Sequence, residues 1–522
     1  MTNAKSDLSG DRTATRAQRN LAWAFLSAAL LYHVTMVGVG WNRPIADFNP
    51  WRQSQTAIVA ESFLESGPSL AYPVPVLGPG WSIPFEFPTY QALVAALSWL
   101  TPIPLEPSGR LVSLAAFYLA LAGAAILLRK VLRVGPELPF VLALPLLAPT
   151  YISWSRAFSI ESTALALGVW FLVAFHRWVA GPGLLSGMAL ISLGIMAGLT
   201  KATTFAGCLA ATLPIAWMAR RAGTAPVLSN IRGLLVTCIL GYLIPVAATF
   251  LWTAYSDAVK ASQPFTATLT SEALRTWNYG TLEQRLSVDT WRRFELFVGN
   301  LVIDRINVIF ALICLALFPR WRWALLALAG LFILPPLVFT NLYFAHDYYW
   351  YANGLFVVLA LGLAFAPLVS DPRVPLTAGI LTCFLIFYQY RNAHASWYLP
   401  KQRTELSPAL PLAQAINQQI SANNYCVVYG FDWDPTLAYH SKRRMIMETA
   451  IHHGLALSEE PLSSTLDQAG RALLGGIAFV GESRNNRPFV EAQLAAAGLD
   501  RVPAYSDSFG TLYIPLKTPN TP

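Results

Sequence analysis

The stretch DFNPWRQSQTA, Asp47 to Ala57, follows a run of about twenty mostly apolar residues and brings Asp47, Arg52, Gln53 and Gln55 within nine positions. Isolated groups of the same kind recur downstream, each beside apolar sequence: Glu86, Arg156, Glu161, Lys201 and the run His346, Asp347, Tyr348, Tyr349. Ionisable side chains at membrane depth are costly and usually functional. Arginine, lysine and histidine suit an anionic group such as a phosphate and can stabilise charge that builds on it. A carboxylate near them suits proton removal from a hydroxyl, a role that typically contributes ~10²–10⁴-fold to a rate.

The elements that position these residues are helices in a bilayer. Of 522 residues, 55% are hydrophobic and only 12% charged, where a soluble chain carries about 25% charge; the mean hydropathy is +0.46. Apolar runs begin near Leu21, Arg110, Pro136, Glu161, Leu184, Thr203, Gly233, Asn300, Ala324, Trp350 and Leu376, which gives about eleven spans. The positive-inside rule orients them. Lys5, Arg12, Arg16 and Arg19 place residues 1–20 in the cytoplasm, and RKVLR, HRW, ARR, PRWRW and DPR mark later cytoplasmic turns. Residues 21–395 then form the membrane module, with outer loops at 41–109 and 253–299, and residues 396–522 lie outside. Most of the net charge of +8 belongs to this asymmetry. No basic cluster of the kind that binds nucleic acid occurs. The first apolar run lacks a cleavage site and is expected to stay as a helix.

Within the outer loop 41–109, FPTYQALVAALSWL is too short to span and is expected to lie along the interface. The tail alternates strand-like pieces (YCVVYG, RRMIM, LGGIAFVG, TLYIPL) with helix-like ones (PLAQAINQQI, FVEAQLAAAGL), the pattern of a small α/β domain. Of the five cysteines, Cys208, Cys238, Cys314 and Cys383 lie in apolar runs and Cys426 in a strand, with no metal or redox spacing.

With this threading, Asp47, Arg52, Glu86, Arg156, Glu161, Lys201, His346 and Asp347 all map to the outer membrane edge. Each has a plain structural alternative: Arg156 and Lys201 snorkelling, Glu86 and Glu161 completing helix starts, His346 making one hydrogen bond. Their shared face favours function. A cavity so lined suits sugar transfer from a lipid-linked phosphate. A phosphate leaving group needs no acid to protonate it, so a single carboxylate suffices, unlike a glycosidase pair. A transporter or flippase of a lipid-linked sugar is the alternative, although its charges belong near the midplane of two related halves. A membrane scaffold is a third reading. The FDWDP of 431–435 spells the D-x-D of metal-dependent nucleotide-sugar transferases, but Asp and Pro after a strand are also ordinary turn residues. No cofactor is expected; Glu86 could hold a divalent metal, but metal dependence is not indicated.

Five segments in order, WRQSQTAIVAESFLESG, FEFPTYQALVA, SRAFSIESTALA, GLTKATTFAG and AHDYYWYANGLF, resemble bacterial polytopic GT-C glycosyltransferases of the family 39 type, which includes aminoarabinose and protein O-mannose transferases. YGFDWDPTLAYHSKR resembles the periplasmic tail of bacterial members. The resemblance implies a polyprenyl-phosphate sugar donor, inverting transfer to a lipopolysaccharide, glycan or protein hydroxyl, and a bacterial inner-membrane location with the C-terminal domain periplasmic. It implies Asp47 as base, Glu161 as a recurring acid, Arg156 and Lys201 near the donor phosphate, and His346–Tyr349 flanking the cavity. Arg52, His346 and Tyr348 join the phosphate-binding set; Gln53, Gln55, Asp347 and Tyr349 complete the lining. Arg52 and Gln53 stand where relatives carry an acidic pair, and Glu86 stands where they carry Lys, so Glu86 is the second candidate for the base. Acceptor selectivity is expected in the 253–299 loop and the C-terminal domain, where Trp277, Tyr279 and Trp291 can stack on sugars or anchor at the interface.

Overall fold

The computed structural model describes residues 14–47, 49–404, 407–447 and 462–515; Lys5 and Arg12 of the basic N-terminus lie outside them. The chain forms two compact units: Met1–Trp41, Arg110–Leu251 and Arg275–Arg403 make the first, and Asn42–Gly109, Trp252–Leu274 and Thr404–Pro522 the second.

The first unit is helical. The apolar runs expected to span are mostly helical in the structure, the 300–318 run being broken at residues 302–304. Among the described residues, seven helices are long and apolar enough to cross a bilayer: Arg16–Gly38, Leu105–Lys130, Glu161–Ala180, Ala202–Arg221, Ile231–Ala261, Pro319–Val338 and Asp347–Ser370. The bent pair Val288–Asn300 and Arg305–Leu317 makes up to eight, and Leu138–Leu147 and Leu184–Thr200 are shorter apolar helices. Proline explains one interruption: the Pro136–Trp154 run splits into Leu138–Leu147 and Pro149–Trp154 because Ala148 takes an extended ψ of 134° before Pro149. Most of the Asp347–Ser370 segment is buried. Its Leu355, Val358 and Phe365 pack with Phe117, Phe140 and Tyr151 in one apolar core.

The second unit carries a five-stranded sheet of order β2-β1-β3-β5-β4. β1 (Tyr425–Tyr429), β2 (Arg444–Met447) and β3 (Leu474–Val480) are parallel, and β5 (Gly510–Tyr513) runs antiparallel to β3 and to the two-residue β4 (Tyr505–Ser506). All of β1 and β3 is buried, which is why both read as unbroken apolar runs rather than alternating ones. The unit is larger than the C-terminal segment alone. The outer edge of β2 is paired with the 41–109 loop, Met445 and Met447 donating their N–H groups at 2.9 Å to Pro75 and Val76. Trp81 and Phe265 pack against the sheet's core. The FPTY segment is the helix Thr89–Leu100, and much of 253–299 is helical rather than open loop.

Candidate active site

In the second unit the site grows from the start of the Pro50–Ser66 helix. Asn49 caps it from the left-handed region, its side chain accepting from the Arg52 N–H at 3.2 Å, and Pro50 takes the first position, an arrangement that fixes where the helix begins. Arg52, Gln53, Ser54, Gln55 and Thr56 are then all buried. Arg52 donates from Nη1 to Gln55 Oε1 at 2.8 Å and pairs from Nη2 with Glu86 Oε1 at 3.1 Å. Those side chains are 9% and 13% exposed, so the pair lies in a medium where charge interactions are strong and isolated charge is costly. Gln53 Nε2 donates to the Asp47 carbonyl at 2.8 Å and reaches its carboxylate at 3.5 Å.

Glu86 is held through its backbone. The Tyr72 hydroxyl donates to the Glu86 carbonyl at 2.8 Å and accepts from the Phe85 N–H at 2.7 Å. Burial, reinforced by the Glu86 charge, pushes the Tyr72 hydroxyl well up, so it remains a neutral donor. From the other side, Trp252 Nε1 donates to the Phe85 carbonyl at 2.9 Å and Ser256 Oγ to that of Pro84. One turn further, Lys260 pairs with Asp257 at 3.0 Å and lies 5.0 Å from the Phe85 ring centre. Trp252, Ser256 and Lys260 recur every four residues, so they form one stripe on the Ile244–Ala261 helix. Lys260 is buried and interacts electrostatically with Glu86.

The first unit holds a second cluster. Glu161 opens the Glu161–Ala180 helix fully buried. Lys201 occupies the extended break between Leu184–Thr200 and Ala202–Arg221, and its Nζ pairs with Glu161. The same ammonium lies 4.2 Å from the Tyr349 ring centre and 5.2 Å from that of Tyr348. His346 stacks on Tyr348 at 5.0 Å, and Trp277 meets His346 edge-on at 6.1 Å. Asp347 is half-buried at the head of the same turn. Arg156, 2% exposed, donates to the Tyr398 hydroxyl at 3.0 Å, to Gln402 Oε1 at 2.7 Å and to the Gly40 carbonyl at 3.4 Å. The structure thus gathers Glu161, Lys201, His346, Tyr348 and Tyr349 in one unit. It gathers Asp47 with Gln53, and Arg52 with Gln55 and Glu86, in the other.

Neither protein-family models nor curated proteins match the sequence; solved structures do. ArnT from Cupriavidus metallidurans bound to undecaprenyl phosphate overlays at TM-score 0.57 and 12% identity, covering 94% of this chain and 98% of that one. The apo oligosaccharyltransferase of Archaeoglobus fulgidus gives TM-score 0.53 and 13% identity over 95% and 75%. The mycobacterial arabinofuranosyltransferase AftD gives TM-score 0.50 and 15% identity over 94% of this chain, which spans 40% of that one. This is a GT-C fold.

Three residues of the chain are not singled out by its sequence: Lys260, Tyr398 and Gln402. The segment after Trp252 reads as a soluble loop, so Lys260 has no helical partners on paper; the W-x3-S-x3-K spacing is the signal that finds it. Tyr398 and Gln402 lie at the spacing of one helical turn at the end of the last apolar run, where they read as interface residues.

FDWDP is a turn. Asp434 Oδ1 accepts from the Thr436 N–H at 2.9 Å and its hydroxyl at 2.6 Å. No group of three or more His, Cys, Asp or Glu among the described residues is placed to hold a metal. Burial, opposed by the Thr436 hydrogen bonds, pushes the Asp434 carboxyl up to about 6. The folded chain therefore keeps a proton between about pH 4 and 6 that the unfolded chain has released, and stability falls as pH rises through that window. Asp434→Asn keeps the acceptor oxygen without the buried charge. The variant is expected to melt higher than wild type at about pH 7.5, by up to about 3 kcal/mol, and equally near pH 4. Thermal unfolding of the detergent-purified chain at both values checks this, and a lower melting point at pH 7.5 refutes it.

Proposed function

We propose that the chain is a membrane glycosyltransferase that moves a sugar from a polyprenyl-phosphate donor to a hydroxyl of a cell-envelope acceptor, with inversion, on the periplasmic side of the bacterial inner membrane. The observation that carries this reading is the buried Arg52–Glu86 pair with Lys260 beside it and Asp47 close in sequence, within a fold shared with an enzyme solved bound to undecaprenyl phosphate. Asp47 takes the proton of the acceptor hydroxyl as its oxygen attacks the anomeric carbon. The bond from that carbon to the phosphate oxygen breaks, and the phosphate leaves as an anion. Arg52 and Lys260 meet the charge that develops on it. Glu86 pairs with Arg52 and holds the guanidinium in place for the phosphate.

In the other unit, Lys201 between the Tyr348 and Tyr349 rings, and Arg156 on Tyr398 and Gln402, are further cations for an anionic substrate. Acceptor identity follows from mass analysis of envelope glycans in cells with and without the chain. One sugar increment is expected to disappear without it, and an unchanged glycan profile overturns the proposal. In initial-rate measurements on the purified chain with a polyprenyl-phosphate sugar, Lys260→Gln is expected to raise the donor KM about ten- to a hundredfold, the scale of one lost charge-assisted hydrogen bond.

A further inference from the structure

The FDWDP turn has no part in the transfer chemistry proposed above, yet its central residue reaches the site. At the end of β1, Gly430 takes φ +78° and a Cβ there would lie 2.3 Å from the Val480 carbonyl oxygen, so only glycine allows β1 and β3 to meet this closely. Asp432 follows in the left-handed region at φ 47°, and the Thr436 hydrogen bonds to Asp434 lock the remainder of the turn. This geometry delivers Trp433 from the carboxyl end of β1, where β2 lies on one side and β3 on the other. That position is the topological switch point at which open α/β sheets receive their ligands.

Here the crevice meets the chain's own first loop. The Trp433 indole meets Trp51 edge-to-face at 4.7 Å and 83°, and lies 5.8 Å from Phe85 at 30°. Trp51 immediately precedes Arg52, and Phe85 immediately precedes Glu86. One indole therefore touches the chain neighbours of both partners of the buried Arg52–Glu86 pair. The same segment fixes the approach to Asp47, because His440 Nε2 lies 2.9 Å from the Ile45 carbonyl and Lys442 pairs with Glu61 at 2.6 Å.

We propose that Trp433 is a positioning residue for the proposed transfer: the C-terminal α/β segment clamps Trp51 and Phe85 and so sets the separation of Arg52 and Glu86. This rests on the reading of the Arg52–Glu86 pair as part of the transfer site. A displacement of about 1 Å at a reacting centre costs about a hundredfold. Trp433→Ala in the full chain is accordingly expected to lower kcat per folded molecule about a hundredfold and to raise the donor KM, whereas Trp433→Phe, which keeps a ring between Trp51 and Phe85, stays within about threefold of wild type. A loss in Trp433→Ala that is wholly explained by less folded protein, or a kcat equal to wild type, overturns the proposal. The second measurement needs no activity. Melting points of wild type, Trp433→Ala, Glu86→Gln and the double variant are expected to be non-additive, as for residues that act through one network; additive shifts overturn it. If the wild-type chain transfers no sugar while the melting points remain coupled, the transferase reading falls and the clamp stands.

Discussion

Asp47→Asn is expected to lower sugar transfer per folded molecule by about 10²–10⁴-fold while leaving the chain's membrane level and melting point at those of wild type. The separation of the two effects follows from the local contacts. The strong hydrogen bond from Gln53 Nε2 goes to the Asp47 backbone carbonyl at 2.8 Å, which the substitution leaves in place. The longer contact, at 3.5 Å, goes to the side-chain oxygen Oδ1, and asparagine retains an oxygen there. What asparagine cannot do is accept the acceptor hydroxyl's proton. Glu86→Gln is the comparison: its carboxylate is committed to Arg52, so its loss is expected to weaken donor binding and positioning more than the proton transfer. Initial rates of both variants with a polyprenyl-phosphate sugar decide between them. Asp47→Asn retaining more than about a third of wild-type kcat, with Glu86→Gln inactive, assigns the base to Glu86 instead.

The parts of this molecule that could be read from sequence are those set by local pattern. Apolar length locates the helices, and the segments YCVVYG and LGGIAFVG announce β1 and β3 because both strands are buried on each face. Isolated charges in an apolar background single out Arg52, Glu161 and Lys201, since a chain with little charge has few reasons to bury any. Non-local partnership was not legible. Nothing in the local sequence says that Pro75 and Val76 pair with β2, nor that Trp433 meets Trp51 across some 380 residues. Lys260 was hidden for a different reason. A helix that outlasts its apolar stretch carries polar residues beyond the hydropathy boundary, so Ser256, Asp257 and Lys260 read as loop while the backbone continues helical to Ala261. β4 is two residues long at a sheet edge, too short for any alternation to show.

The buried pair of Glu161 and Lys201 carries the largest expected effect on stability. Glu161→Gln leaves the Lys201 ammonium, on a side chain 8% exposed, without its carboxylate, and breaking a buried pair from one side typically costs about 3–5 kcal/mol. The Tyr349 ring 4.2 Å away offsets part of this, since a desolvated cation over an aromatic face gains about 2 kcal/mol. Lys201→Met takes the ammonium from Glu161 instead. As the first residue of a 20-residue helix, that carboxylate faces the positive end of the helix dipole, worth up to about 2 kcal/mol in a buried setting, so the two single losses should be comparable. The double variant removes both charges and both desolvation costs, and is expected to melt close to wild type rather than at the sum of the single shifts. Additive melting shifts would show that the two side chains do not act as a pair. Activity then separates scaffold from site. A double variant that folds like wild type yet transfers no sugar places the pair in the chemistry. One that recovers both stability and transfer leaves Glu161 and Lys201 with a purely structural task, and the phosphate-binding role to Arg52 and Lys260.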